Sequence, residues 1–116
     1  MKKVKLGIVG MGRMGSCHAE DIAFRMKNAE LTAVCCRTME KALDAKEALG
    51  AKYAFSDYEQ MLQCQELDGV VICSASALHC RQVIAAVQAK KHVFCEKPLG
   101  SMLVVSPKKV LSLALP

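Results

Sequence analysis

Hydrophobic and polar positions divide the chain into two kinds of segment. Short apolar runs recur at VKLGIV (4–9), LTAVCC (31–36), KYAF (52–55), VVIC (70–73) and HVFC (92–95). Runs of this length and composition predict buried strands of a parallel sheet. Between them, apolar residues fall at helical spacing. Met14, Cys17, Ile22 and Met26 lie broadly on one face from Arg13 to about Lys27. Met39 to Leu49 is alanine-rich, with Leu43 and Leu49 on a face and Gly50 as its C-terminal stop. A short helix follows Ser56 or Asp57 as N-cap. Ala77 to Lys90 predicts a clear helix, with Leu78, Val83, Ile84 and Val87 inward and Lys90 and Lys91 favouring its C-terminal dipole.

The resulting order, βαβαβαβαβ, predicts an α/β fold: a doubly wound, Rossmann-like parallel sheet of about five strands with helices on both faces and right-handed crossovers. Residues 1–100 are expected to form this domain. Residues 101–116 are expected to be a divergent or truncated tail, in which SPKKVLSLAL could form one helix with Pro107 in its first turn. There is no internal repeat and no low-complexity linker.

Composition narrows the setting. The 116 residues are 53% hydrophobic and 23% charged, a globular balance suited to one domain. No apolar run approaches the roughly 18–20 residues that span a bilayer, so no membrane role is expected. The start, MKKVKLGIVG, is basic and then apolar, but Gly10, Gly12 and Arg13 interrupt it and no small-residue cleavage site follows. Seven cysteines with irregular spacing include no C-x-x-C, and no Cys/His grouping has zinc-ligand spacing. Structural thiols in a reducing, cytoplasmic compartment are expected, with no metal. The net charge of +5 comes from scattered lysines, and aromatic residues are only 4%. That is too sparse for base stacking, so no nucleic-acid partner is expected.

The first chemical motif is Gly10-Met11-Gly12-Arg13-Met14-Gly15, a G-x-G-x-x-G that closes a predicted strand and opens a predicted helix. In that context Gly10 permits the tight turn, Gly12 lets a pyrophosphate approach the backbone, and Gly15 lets helix and strand pack closely. The helix N-terminus offers unpaired N–H groups to the phosphates. Cofactor choice turns on the end of the second strand, which reads A-V-C-C-R-T. NAD-binding domains usually place a carboxylate there for the ribose 2′-OH. Cys36 stands at that place, and Arg37 with Thr38 can bind a 2′-phosphate. This favours NADP over NAD, with a merely solvated Arg37 as the alternative.

The fourth strand leads into S-A-S-A-L-H (74–79), and the fifth into C-E-K-P-L (95–99). Together with the glycine loop these resemble the Gfo/Idh/MocA oxidoreductases, which include glucose–fructose oxidoreductase and inositol 2-dehydrogenase. The resemblance covers residues 3 to about 100. It implies an N-terminal dinucleotide-binding domain of an enzyme that oxidises or reduces a sugar, cyclitol or related small molecule. It implies further that Ser74, Ala75 and Ser76 lie along the cofactor, with His79 at the start of the next helix. Glu96 and Lys97 would sit near the nicotinamide, with Lys97 as the catalytic residue that orients substrate or assists proton transfer. His18 matches a family histidine expected to pack or cap. Ala75 replaces a proline more usual in the family, which loosens that loop.

An X–Pro bond tolerates the cis form, and one is expected at Lys97–Pro98. The family's substrate domain does not follow Gly100, so a fragment, a truncated product or a minimal relative is expected. The fifth strand would then be an uncovered edge, which predicts homo-oligomerisation or poor solubility. Three readings stay open. The chain is the cofactor domain of an NADP(H)-dependent oxidoreductase, a non-catalytic dinucleotide-binding module, or, last, a CoA- or nucleotide-binding regulator.

Overall fold

The computed structural model describes residues 3–10, 13–73, 76–96 and 102–105. The apolar runs become β1 (Val4–Val9), β2 (Ala29–Cys35), β3 (Tyr53–Phe55), β4 (Gly69–Ile72) and β5 (His92–Glu96), joined by a further strand, β6 (Met102–Val105). They form one six-stranded sheet in the order β3-β2-β1-β4-β5-β6. The first five strands pair in parallel, and β6 pairs antiparallel with β5. Helices α1 (Arg13–Glu20), α2 (Met39–Leu49), α3 (Tyr58–Leu62) and α4 (Ser76–Gln88) make the connections.

Burial on both faces explains why the strands read as continuous apolar runs. Leu6, Ile8, Val34 and Val71 pack with Ala19 and Ile22 on the α1–α2 face. Val9, Val70, Ile72 and Val93 pack with Met61, Leu62 and Ala86 on the α3–α4 face. Ile8, Val34, Val70, Ile72 and Val93 are fully buried, each contributing on the order of 1.5–3 kcal/mol relative to exposure. Gly7 has a packing reason on the α3 side. A Cβ there would stand 2.9 Å from Leu67 Cδ1 and 3.0 Å from Met61 Sδ. In β2 the register against β1 jumps from Leu31 to Ala33, which makes Thr32 an extra, bulged residue. The bulge lets Leu31 and Val34 share a face although they are an odd number of positions apart.

Local chemistry sets the helix ends. Thr38 Oγ1 accepts a hydrogen bond from the Lys41 N–H and caps α2. Gly50 stops α2 in the left-handed conformation at φ 73°, its N–H bonded to Lys46 O. Asp57 caps α3 by accepting from the Glu59 N–H at 3.0 Å.

Several expectations are corrected. The fifth strand is not an edge: β6 covers it, so the argument for association through an open β5 loses its basis. The helix expected to run to about Lys27 stops at Glu20 and continues as one π-helical segment, Asp21–Arg25. That change of period turns Met26 outward, and Cys17 is also exposed, while Ile22 stays buried. On α2 and α4, Leu43 and Ile84 face solvent although helical spacing placed them inward, because small residues, Ala42 and Ala86, take the closest positions against the sheet. Lys91 does not extend α4, which ends at Gln88. Its side chain is buried, and Nζ donates to Cys64 O and Leu67 O, each at 2.8 Å. The Pro107 helix and the Lys97–Pro98 bond lie outside the described residues.

At the amino end of the sheet, Glu66 accepts hydrogen bonds from Tyr53 OH and from Lys52 Nζ, with Lys5 Nζ at 3.9 Å. The Tyr53 and Lys52 hydrogen bonds hold the Glu66 carboxyl below its usual range. Among the described residues, no helix is long and apolar enough to cross a membrane.

Candidate functional site

The strand order reverses between β1 and β4: successive strands run outward to β2 and β3 on one side and to β5 on the other. Open α/β sheets bind ligands outside the carboxyl ends of strands at such a switch point. The polypeptide there is held by two backbone bonds. The Gly10 N–H donates to Cys35 O at 3.4 Å, and the Cys73 N–H donates to Val9 O at 2.9 Å. Gly10 has φ 89°, a conformation that a residue with a Cβ rarely adopts, so the turn out of β1 requires glycine.

A cavity of about 790 Å³ opens over these strand ends. Gly10 and Val9 form its floor, and Ser16 and Glu20 of α1 form one wall. Cys36, Arg37 and Lys41 line it at the end of β2, and Tyr58, Cys73 and Gln82 line the opposite side. A cavity beside a glycine turn and a helix start, at the switch point of an open α/β sheet, lies where such sheets bind dinucleotides.

The described candidate residues fall on several elements of the sheet's carboxyl edge. Gly10 lies at the turn, and Arg13, Met14 and Gly15 occupy the first turn of α1. Cys36 is buried directly after β2, its N–H bonded to Phe55 O at 3.1 Å. Arg37 is exposed on the cavity wall, and Thr38 is exposed with its hydroxyl oxygen accepting the cap hydrogen bond of α2. Ser76 opens α4 and His79 lies within it. Glu96 ends β5 as register partner of Met102. Met11, Gly12, Ser74, Ala75 and Lys97 lie outside the described residues. Thus Gly10, Cys36 and Arg37 come together on one cavity, while Glu96 sits on another strand end of the same sheet edge.

Sequence reasoning missed Lys41, Tyr58 and Gln82. Lys41 carried a signal, a cation three residues after a helix cap. Tyr58 carried none, being one residue past a cap like many others. Its hydroxyl donates to Gln82 O at 2.8 Å, which fixes the ring on the cavity wall. Burial, then the Cys35 and Cys95 thiols, push the Tyr58 phenol well above its usual range, so it stays a neutral donor. Burial, then neighbouring Cys36 and Asp57, push the Cys35 thiol up to about 11. Burial also raises Cys36, with Lys41 opposing it. These thiols are protonated at neutral pH and behave as small apolar groups. Among the described residues no cluster could hold a metal ion.

Residues 4–114 match the family model for oxidoreductases of the Gfo/Idh/MocA type with an NAD-binding Rossmann fold. The chain belongs to that family. It is 38% identical to myo-inositol 2-dehydrogenase of Thermotoga maritima over 97 residues, 84% of this chain and 29% of that protein. A scyllo-inositol dehydrogenase from Lactobacillus casei, solved with bound NAD(H) and scyllo-inositol, superposes with a TM-score of 0.79 at 41% identity. That match covers 85% of this chain and 29% of the other. A 3-ketoreductase from Actinomadura kijaniata, solved with NADP, gives a TM-score of 0.77 at 26% identity, covering 84% of this chain and 30% of the other. The chain therefore spans about 30% of the length of these relatives. It is an NAD-binding Rossmann domain of this oxidoreductase family.

Proposed function

We propose that the chain binds NADP(H) as the cofactor domain of a dehydrogenase acting on an inositol or related cyclitol. The observation that carries the cofactor choice is the end of β2. There Cys36 replaces the carboxylate that would hold a ribose 2′-OH, and the adjacent Arg37 guanidinium lines the same cavity. A thiol exerts no repulsion on a 2′-phosphate, and a guanidinium matches its oxygens with two parallel N–H donors. When bound, the cofactor supplies hydride transfer. The chain's own residues hold the pyrophosphate at Gly10 to Gly15 and the adenosine ribose at Arg37 and Thr38. Glu96, the last residue of β5, and Lys97, which follows it in sequence, act at the nicotinamide end, with Lys97 orienting substrate or assisting proton transfer. The inositol assignment is supported by the substrates named for the two inositol dehydrogenases above.

One observation favours NAD instead: the scyllo-inositol dehydrogenase was solved with NAD(H). Fluorescence titration of the chain with NADPH and NADH decides between them. NADPH should bind at least tenfold more tightly, and Arg37→Ala should weaken NADPH by roughly tenfold while changing NADH less than twofold. Tighter binding of NADH by the unaltered chain would overturn the NADP assignment.

A further inference from the structure

The two edges of the sheet are built differently. At one edge β3 is three residues long, Lys52 precedes it, and Lys52 and Tyr53 both donate to Glu66. Shortness and a flanking lysine are ordinary protections of an edge strand against pairing with another chain. At the other edge β6 is Met102-Leu103-Val104-Val105, four apolar residues with no charge and no proline. In length and composition it resembles β4, Gly-Val-Val-Ile, which is paired on both sides, by β1 and by β5. β6 thus carries an interior sequence at an edge position. Because it runs antiparallel to β5, alternate residues send N–H and C=O to β5 and the others send theirs outward. Among the described residues no strand receives those outward groups.

We propose that β6 is a self-association edge, to which a second copy of this chain adds its own β6 antiparallel, joining the two sheets into one. An antiparallel pair of identical strands is two-fold symmetric, with the axis normal to the sheet at a residue that faces its own counterpart. In β6 that residue is Leu103 or Val104, the two central positions. Pairs within β6 then set apolar residues opposite apolar residues, and the outward N–H and C=O groups of each copy satisfy those of the other. The sequence after β6 bounds the ladder, since Pro107 has no N–H to donate and Lys108 and Lys109 follow it. Closure also limits growth. Once the β6 edges are joined, the β3 edges remain, and these are short and flanked by lysine. The edge therefore suits one further copy and not a growing stack.

Sedimentation velocity of the chain from low to high micromolar concentration should show a monomer–dimer equilibrium and no larger species. Val104→Lys brings like charges together at the joint and should weaken the dimer by roughly tenfold or more. Val104→Thr keeps a β-branched residue without a charge and should hold the dimer constant within roughly threefold. Melting temperatures taken at the lowest concentration separate a lost joint from a lost fold. Amide hydrogen exchange of the unaltered chain gives a reading that needs no variant. Alternate amides of Met102–Val105 should exchange fast at low concentration and slowly at high concentration, while the amides directed at β5 stay slow throughout. A monomer at every concentration, a series of larger oligomers, or a dimer whose β6 amides exchange at a rate independent of concentration would each overturn the proposal. So would a Val104→Lys chain that keeps its melting temperature and associates as tightly as the unaltered one.

Discussion

Thr32→Val should stabilise the protein, although it deletes a polar group from the middle of the sheet. Thr32 is the extra residue of the β2 bulge and is 2% exposed. Its carbonyl accepts from the Lys52 N–H at 2.9 Å. Its Oγ1 is buried and has no hydrogen-bond partner among the described residues. A buried hydroxyl left unpaired costs about 1–3 kcal/mol. Valine has the same branched shape and fills the same volume without that cost. Taking about 1–2 kcal/mol as the gain, and an unfolding entropy of about 2.1 cal/mol/K per residue, the 116 residues give about 0.24 kcal/mol/K. The melting temperature should therefore rise by about 4–8 °C. Circular dichroism melts of the wild type, Thr32→Val and Thr32→Ser measure it. Serine keeps the hydroxyl and loses the methyl group, so its melt should fall by a few degrees. A Thr32→Val melt equal to or below the wild type would mean that the hydroxyl has a partner, such as a buried water, and would refute the reasoning.

Two further outcomes are expected. Lys91→Met removes the buried ammonium that ties Cys64 O and Leu67 O to the start of β5. It should cost about 1–3 kcal/mol, seen as a lower urea midpoint with an unchanged slope, and an unaltered midpoint would count against a structural Lys91. Glu66 has a folded-state pKa held below its ordinary value by Tyr53 and Lys52, so its stabilisation is complete above the unfolded carboxylate range and is lost as pH falls through the lower folded value. The difference in melting temperature between wild type and Glu66→Gln should be constant from about pH 5.5 to 7 and shrink below about pH 4.5. A difference that persists undiminished to about pH 3 would contradict the assignment.

Local chemistry decided which segments became which elements. Predominantly apolar runs became strands because the sheet is covered on both faces, and Thr38, Gly50 and Asp57 set helix ends through bonds made within a few residues. The glycine turn after β1 was legible for the same reason, since the demand for positive φ at Gly10 is local to its own backbone. Helical spacing served less well for depth. It cannot register how close a sheet comes to a helix, and Leu43 and Ile84 were turned to solvent where alanines made the closest approach.

The chain's own order of residues therefore determined the α/β class, the helix caps, the glycine turn and the replacement of a carboxylate by Cys36. The tertiary structure alone decided that Lys91 is buried, that β5 is covered by β6, and that Ser16, Lys41, Tyr58 and Gln82 share one cavity. The physical reason is the switch point. Strand order brings the carboxyl ends of β1, β2 and β4 side by side, and with them side chains from helices far apart in sequence. No periodicity within a single segment encodes that meeting.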